Sequence, residues 1–199
     1  MKQKGTLIVL SGFSGVGKNT VISQVLAQRP EIHFSVSFTT RAPRTGEVNG
    51  KDYNFVTREE FQARIRRGEF LEYAEYNGNY YGTSMKVIRD KLEQGVDVLL
   101  EIEVQGAAAV MDKMPEAVSV FLVPPSFEEL SRRLYARGTD DEETIQKRLA
   151  IARQEAKEVK NYMYIVVNDT VDHAVQEFFS ILTAESCRAE RRIHFVEGV

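Results

Sequence analysis

A glycine-rich segment near the amino terminus constrains the fold more than any other part of the chain. Residues 12–18 (GFSGVGK) follow the apolar run 7–10 and precede apolar residues at helical spacing. This order predicts a strand, a glycine loop and a helix. Glycines allow a backbone to turn its N–H groups toward a phosphate, and the helix amino terminus adds partial positive charge. Lys18 is then expected to reach the β and γ phosphates of a nucleotide.

The motif departs from its usual pattern at position 19, where asparagine stands in place of serine or threonine. The hydroxyl at that position commonly binds Mg²⁺ directly, and an amide oxygen is a weaker substitute. We therefore expect the metal to be held mostly by phosphates and waters, with Thr20 as a nearby alternative ligand. The plainer alternative for the whole segment is a glycine turn that caps a buried helix.

Composition limits the classes of function that the chain can have. With 199 residues, of which 43% are hydrophobic, it is long enough for one core with small inserted subdomains. A net charge of -3 and a pI near 5.7 argue against binding nucleic acid through a broad basic surface. The one cysteine, Cys187, cannot form an internal disulfide, and no secretory or long apolar segment is present. We therefore expect a cytoplasmic protein without a membrane partner.

Residues 38–83 differ in character from the segments around them. Pro43 and Gly46 preclude regular structure in a loop that carries Arg41 and Arg44. Paired guanidinium groups suit a bidentate grip on a phosphate or carboxylate, although a solvated surface loop is equally consistent. The pattern then predicts a strand over 51–56, a helix capped by Thr57, and strands over 70–76 and 79–83 joined by an Asn77-Gly78 hairpin turn. The result is a small, aromatic-rich β insert.

The rest of the chain alternates strands and helices. Strands predicted near residues 7, 34, 98, 120 and 165 argue for a parallel sheet with helices on both faces. Glu101 and Glu103 end one of these strands, where they could bind Mg²⁺ through water or contact a substrate base, or could simply be solvated. Ser126 and Glu129 form a capping pair at the start of a helix rich in arginine, and a second helix is predicted over 142–160. This pair of helices could be a closing lid or a solvated basic face.

Three motifs together identify a family. Residues 37–44 (SFTTRAPR), 46–53 (GEVNGKDY) and 78–83 (GNYYGT) resemble the guanylate kinase family, and the resemblance runs from about residue 6 to 183. It implies an α/β nucleoside-monophosphate-kinase fold of the phosphate-loop class, with a parallel sheet flanked by helices, a small β-rich GMP-binding insert and a helical lid. The implied boundaries are a core of 1–37, 84–125 and 149–199, an insert of 38–83 and a lid of 126–148, within one domain spanning 5–184.

The resemblance also implies the reaction and its partners. ATP would phosphorylate GMP reversibly to give ADP and GDP, with Mg²⁺ as cofactor, in the supply of GTP and dGTP and the recycling of GMP. The expected partners are these two nucleotides, and the choice between a monomer and a homodimer stays open.

The family resemblance assigns roles to individual residues. Those expected to act in catalysis are Lys18, Arg41, Arg137 and Arg148. Those expected to bind ATP are Gly12, Ser14, Gly15, Val16, Gly17, Lys18, Asn19, Thr20, Arg133, Arg137 and Asn168. Those expected to bind GMP are Ser37, Arg41, Arg44, Tyr53, Glu72, Tyr81, Thr83 and Glu103. Asn19 or Thr20, and Glu101 through water, are the expected metal contacts.

Besides Asn19, the chain departs from the family pattern at the end of one predicted strand. Glu101 and Glu103 stand where aspartates are usual, which keeps the charge but moves each carboxylate outward by about one methylene. The main alternative function is a non-catalytic module that binds phosphorylated peptides, but such modules typically lose the phosphate-loop lysine or the ATP-contacting arginines, which this chain retains. A kinase for another monophosphate is a second alternative, disfavoured by Glu72 and Thr83, and a GTPase is disfavoured because no N-K-x-D motif is present.

Overall fold

The computed structural model of the chain describes residues 4–76, 78–138 and 140–196. The helices are α1 Lys18–Gln28, α2 Arg58–Arg66, α3 Met85–Glu93, α4 Val104–Lys113, α5 Phe127–Ala136, α6 Glu142–Glu155, α7 Val171–Ser186 and α8 Ala189–Arg192, with 3₁₀ turns at Val159–Asn161 and Ile193–Phe195. The strands are β1 Leu7–Gly12, β2 His33–Phe34, β3 Phe38–Thr39, β4 Asn54–Phe55, β5 Phe70–Tyr76, β6 Asn79–Ser84, β7 Val98–Glu101, β8 Val118–Val123 and β9 Tyr164–Val167.

The chain forms two compact units. The first comprises Met1–Leu10 and Glu31–Ala117, and the second comprises Ser11–Pro30 and Val118–Val199. Strand β1 contributes residues to both, and all six of its residues are buried.

The first unit contains parallel strands in the order β2-β7-β1, and a second sheet in the order β4-β3-β6-β5. Strand β7 is central to the first group because Val98 lies opposite both Leu7 and His33 in parallel register. Leu99 and Leu100 are completely buried, as expected for a strand covered on both faces. In the second sheet, β6 pairs antiparallel with both β5 and β3.

The second unit contains the parallel pair β8 and β9, and helices α1 and α7 pack against one another. Its core includes Phe121, Leu130 and Phe178. The sequence prediction of an α/β fold with a parallel sheet flanked by helices is confirmed. Of the helices in the described part of the chain, none is long and apolar enough to cross a membrane.

Two predicted elements are shorter in the structure than in the sequence pattern. The strand predicted over 51–56 covers only Asn54–Phe55. Residues 51–52 form a turn, in which the Asp52 carboxylate accepts from the Val48 N–H at 2.7 Å, and Tyr53 makes an isolated β-bridge with Asn49. The helix predicted over 142–160 ends at Glu155, where hydrogen bonds shift to three-residue spacing before Tyr162 packs edge-on against Phe121 at 5.0 Å.

Some predicted features fall partly outside the described residues. Asn77 of the predicted hairpin turn lies outside them, while Gly78 has a φ of 75°. Thr139, within the predicted break between the arginine-bearing helices, also lies outside them. The helix caps predicted at Thr57 and Ser126 are confirmed, since their hydroxyls accept from the N–H groups of Glu60 and Glu129.

Candidate active site

The glycine loop lies between the end of β1 and the start of α1, as the sequence predicts. Gly15 and Gly17 have φ values of 90° and 98°, a region that residues with a Cβ rarely adopt. A Cβ at Gly12 would lie 2.6 Å from the Leu122 carbonyl oxygen. Glycine is therefore required at Gly12 for space and at the other two positions for backbone conformation.

Lys18 lies against the loop that it follows. Its ammonium group donates to the Gly12 carbonyl oxygen at 2.7 Å and is 3.4 Å from the Phe13 carbonyl oxygen. An ammonium group has three N–H donors, and these two carbonyl contacts orient it. The lysine is thus held over the backbone that would surround a phosphate.

Two side chains from later in the sequence brace this loop. The buried Asn168 side chain, 3% exposed, donates from Nδ2 to the Val16 carbonyl oxygen at 2.8 Å. Arg133 donates to the same oxygen at 3.3 Å and to the Asn168 carbonyl oxygen at 2.9 Å. The loop backbone is therefore tied to both α5 and the end of β9.

A cavity of about 390 Å³ opens beside the loop in the second unit. The predicted ATP residues that line it are Gly15, Val16, Gly17, Thr20, Arg133, Arg137 and Asn168. Ser14 lies 3.5 Å from the Arg148 guanidinium, which is also 3.5 Å from the Asp140 carboxylate. Asn19, Thr20 and Arg137 are exposed. The structure thus brings the predicted ATP residues to one loop and its neighbouring cavity.

Sequence reasoning missed the role of Glu129 in this region. Its carboxylate accepts from Arg132 at 2.7 and 2.8 Å and from Arg133 at 2.7 Å, and these two guanidinium groups lower the pKa of Glu129 to about 2. Both arginines also line the cavity, as does Asp169. The signal in the sequence was the spacing of Glu129 to arginines three and four residues later on one helix.

In the first unit, Glu72 and Thr83 face each other across the β5–β6 pair. Both are buried, with 6% and 0% of their surface exposed, and the Thr83 hydroxyl donates to Glu72 Oε1 at 2.6 Å. Burial raises the pKa of Glu72, while the Thr83 hydrogen bond and the positive charge of Lys113 oppose the rise. A buried carboxylate with one oxygen held and the other available suits recognition of paired N–H donors.

Arg41 and Arg44 are organised by one acid, Glu47, which sequence reasoning also missed. The Glu47 carboxylate accepts from the Arg41 guanidinium at 2.8 Å and from the Arg44 N–H at 2.7 Å. Both contacts lower the pKa of Glu47, and the hydrogen bond to Glu47 raises the pKa of Arg41. The loop therefore has a defined conformation rather than the solvated one considered as an alternative.

The predicted tyrosines lie beside Arg41. Its guanidinium carbon is 5.3 Å from the Tyr53 ring centroid and 5.8 Å from that of Phe55, and the Tyr53 and Tyr81 rings are 6.0 Å apart. Burial is the main cause of a raised pKa at Tyr53. One guanidinium group and two phenol groups thus converge, a combination that suits a phosphate dianion.

The remaining predicted residues are less closely tied to this cluster. Ser37 is half-buried, and its carbonyl oxygen accepts from the Asn54 N–H at 2.8 Å. Glu101 is the last residue of β7, opposite Leu10. Glu103 is exposed and stands at the N-cap of α4.

A glycine phosphate loop with an arginine-lined cavity in one unit, and a buried carboxylate with an arginine–tyrosine cluster in the other, define a phosphate-loop kinase that acts on a small phosphorylated acceptor. The family model described as "Guanylate kinase" matches residues 4–185. The chain therefore belongs to the guanylate kinase family, whose members phosphorylate GMP with ATP.

Individual relatives agree with this assignment. A guanylate kinase of Halalkalibacterium halodurans is 52% identical over 192 residues, covering 96% of this chain and 94% of the relative. One of Desulfitobacterium hafniense is 50% identical over 195 residues, with 98% of each chain covered. The crystal structure of a guanylate kinase from Anaplasma phagocytophilum superposes with a TM-score of 0.78 at 39% identity, covering 96% of this chain and 90% of that one. The activity is accordingly that of an ATP:GMP phosphotransferase.

Proposed function

We propose that Glu72 selects guanine as the acceptor base in this reaction. The observation that carries this assignment is a buried carboxylate whose Oε1 accepts a hydrogen bond from Thr83. A carboxylate accepts from both the N1–H and the 2-amino group of guanine, whereas adenine has neither donor. The wrong base would leave a buried carboxylate oxygen without a hydrogen-bond donor, which is the strong form of discrimination. Ser37 and Glu103 are assigned supporting contacts with the base.

The acceptor phosphate is assigned to Arg41, Arg44, Tyr53 and Tyr81. The convergence of the Arg41 guanidinium on the Tyr53 ring supports this assignment. Glu47 already accepts from Arg41, and a guanidinium has five N–H donors, so the phosphate would bind without displacing the acid. Glu47 then holds the arginine in position before the substrate arrives.

The donor phosphates are assigned to the glycine loop, Lys18, Arg133, Arg137 and Arg148. Arg133 is held by Glu129 and the loop carbonyl, while exposed Arg137 lines the same cavity. Asn168 is assigned a place near the adenine, supported by its position in the lining of that cavity. We also assign residues 126–148 to a lid and 38–83 to the acceptor-binding insert.

The residues present fit a Mg²⁺ that is held chiefly by the nucleotide. Within residues 4–76, 78–138 and 140–196, His, Cys, Asp and Glu form no group of three that could hold a metal ion. Asn19 and Thr20 are exposed beside the loop, and Glu101 is a carboxylate at a strand end. Mg²⁺ usually keeps several waters and takes few protein ligands, so this sparse donor set suits it. The ion would neutralise charge on the donor phosphates.

The transfer is assigned to direct in-line displacement without a phosphoenzyme. A phosphate oxygen of GMP is already anionic, so the attack requires no general base. The protein contributes by neutralising charge as it spreads in the transition state, which is the role given to Lys18, Arg41, Arg137 and Arg148. A chiral thiophosphate at the γ position of ATP tests this step: inversion supports it, and retention contradicts it.

A coupled assay of ADP release tests the assignment of the acceptor. ATP and Mg²⁺ are supplied with GMP, AMP, CMP or UMP, beside a Lys18→Ala variant. Turnover with GMP alone, lost in the variant, is expected. Turnover with another monophosphate would overturn the role of Glu72, and no turnover with any would favour the phosphopeptide-binding alternative.

We place the reaction in the cytoplasm, where an exposed single thiol such as Cys187 stays reduced.

A further inference from the structure

Helix α4 contains a glycine at a position where glycine does not favour helix formation. Gly106 lies in the first turn of Val104–Lys113 and is buried, although glycine is the poorest helix former after proline. Three alanines follow it directly, so small size alone was available from a better helix former. The reason for a glycine at this position is therefore to be sought in its surroundings.

The nearest atom that a methyl group at this position would meet belongs to Glu72. A Cβ on Gly106 would lie 3.0 Å from Glu72 Oε2 and 3.5 Å from its carboxyl carbon. The first distance is tighter than ordinary van der Waals contact, so either the carboxylate or the helix would have to shift by a few tenths of an ångström.

Neither group has an easy way to move. Glu72 is buried, and its other oxygen accepts from Thr83 at 2.6 Å. The far end of α4 is tied to β5, because the Lys113 ammonium donates at 2.5 Å to the carbonyl oxygen of Leu71, the residue just before Glu72. The Thr83 hydroxyl thus binds one oxygen of the Glu72 carboxylate, and Gly106 lies beside the other.

We propose that Gly106 is a positioning residue for guanine recognition, because its missing side chain fixes where Glu72 Oε2 lies. The proposal deepens the assigned role of Glu72 and rests on it. Two N–H donors of guanine need both oxygens at defined places, and hydrogen bonds weaken steeply when misaligned. A methyl at position 106 would turn the carboxylate away from that geometry while leaving the phosphate contacts in place.

The test compares GMP with IMP, which lacks the 2-amino group. In Gly106→Ala we expect the KM for GMP to rise about tenfold, as when one hydrogen bond to a charged group is lost, with a smaller change in kcat. The preference for GMP over IMP in kcat/KM should fall, while the KM for ATP stays the same. Ala108→Gly, an exposed position on the same helix, is the matched control and should keep the wild-type preference.

The outcomes are distinct. A folded Gly106→Ala variant with the wild-type preference for GMP over IMP would overturn the proposal. A wild-type protein without that preference would instead remove the assigned role of Glu72, and the proposal with it. If Gly106→Ala does not fold, Gly106→Ala with Glu72→Ala deletes the side chain that the methyl meets. Recovery of a cooperative thermal transition would then support the proposal, and continued failure would overturn it.

Discussion

Replacing Glu72 by glutamine separates recognition from stability at one position. The substitution keeps the size of the side chain and an oxygen that can accept from Thr83, which donates at 2.6 Å in the native protein. It removes the negative charge and replaces one oxygen with an N–H₂ group. We expect the substitution to lower activity without lowering stability.

The loss of activity follows from the two bonds assigned to guanine. A hydrogen bond to a charged group contributes about 1.5–3 kcal/mol. In Glu72→Gln one bond becomes a contact between two donors, and the other becomes neutral. We take the combined loss as about 3–4 kcal/mol, which is a fall of roughly 10²–10³-fold in kcat/KM for GMP at 1.4 kcal/mol for each factor of ten.

Stability should not fall with activity. Burial raises the pKa of Glu72, which means that folding disfavours its charged form. Glutamine carries no such charge, so the free energy of unfolding at pH 7 should stay the same or rise. As the pH falls through the raised folded-state pKa toward the ordinary value, the wild-type protein binds a proton and gains stability that the variant does not. The difference between the two proteins should therefore shrink on acidification.

Coupled ADP release and urea unfolding at pH 7 and pH 5 measure both effects. Glu75→Gln on the same strand is the control, because that side chain is 45% exposed and pairs with Arg58 on the surface. Its kcat/KM should stay within about twofold of the wild type, as for most surface changes. A Glu72→Gln variant that keeps kcat/KM within threefold, or that unfolds more easily at pH 7 by about 2 kcal/mol or more, would refute the reasoning.

Three further substitutions test the surroundings of the two sites. Thr83→Val keeps the buried shape but removes the hydroxyl that donates to Glu72, so the KM for GMP should rise about tenfold. The acid limb of the pH profile of kcat/KM should move to higher pH, because a hydrogen bond to the charged form of Glu72 is lost. Glu47→Gln weakens the hold on Arg41, so the KM for GMP should rise about three- to tenfold in steady-state kinetics, with the KM for ATP unchanged. Gly17→Ala places a Cβ on a residue with a φ of 98°, which should lower the free energy of unfolding in urea by about 1–3 kcal/mol and raise the KM for ATP.

Each of these has a result that would contradict it. An acid limb that does not move in Thr83→Val would mean that the hydroxyl does not stabilise the carboxylate. An equal rise in both KM values for Glu47→Gln would indicate a general disturbance of folding. An unchanged urea midpoint for Gly17→Ala would show that the loop relaxes without strain.

The sequence predicted those features whose causes are local. The glycine loop is one example, since a strand, a turn and a helix adjoin it, and Gly15 and Gly17 have the conformations that only glycine adopts readily. The strand prediction failed at residues 51–52 because a sequence pattern does not register a side chain that closes a turn, as the Asp52 carboxylate does on the Val48 N–H. The type of element was thus predicted correctly where the pattern extends over many residues, and wrongly where a single side-chain hydrogen bond determines the course of the backbone.

Contacts between distant residues were not available from the sequence pattern. Arg133 and the Val16 carbonyl oxygen are 117 residues apart in the chain, and nothing in the spacing of either indicates the other. The acceptor cluster is similar: Arg41 and Arg44 were predicted as a pair, but no role was predicted for Glu47, which binds to both. Motif resemblance identified the residues assigned to substrates, whereas the residues that hold them in place are recognised only in the folded structure.

Gly106 shows what kind of sequence signal points to such supporting residues. A glycine inside a helix conflicts with local propensity, and a conflict of this kind persists when the structure gains something elsewhere. Here the gain is space for a buried carboxylate 3.0 Å from where a methyl would lie. Gly12 follows the same logic, since its missing Cβ leaves room for the Leu122 carbonyl oxygen. A glycine that no turn requires is therefore a guide to the atom it accommodates, and in α4 that atom belongs to the residue on which base selection depends.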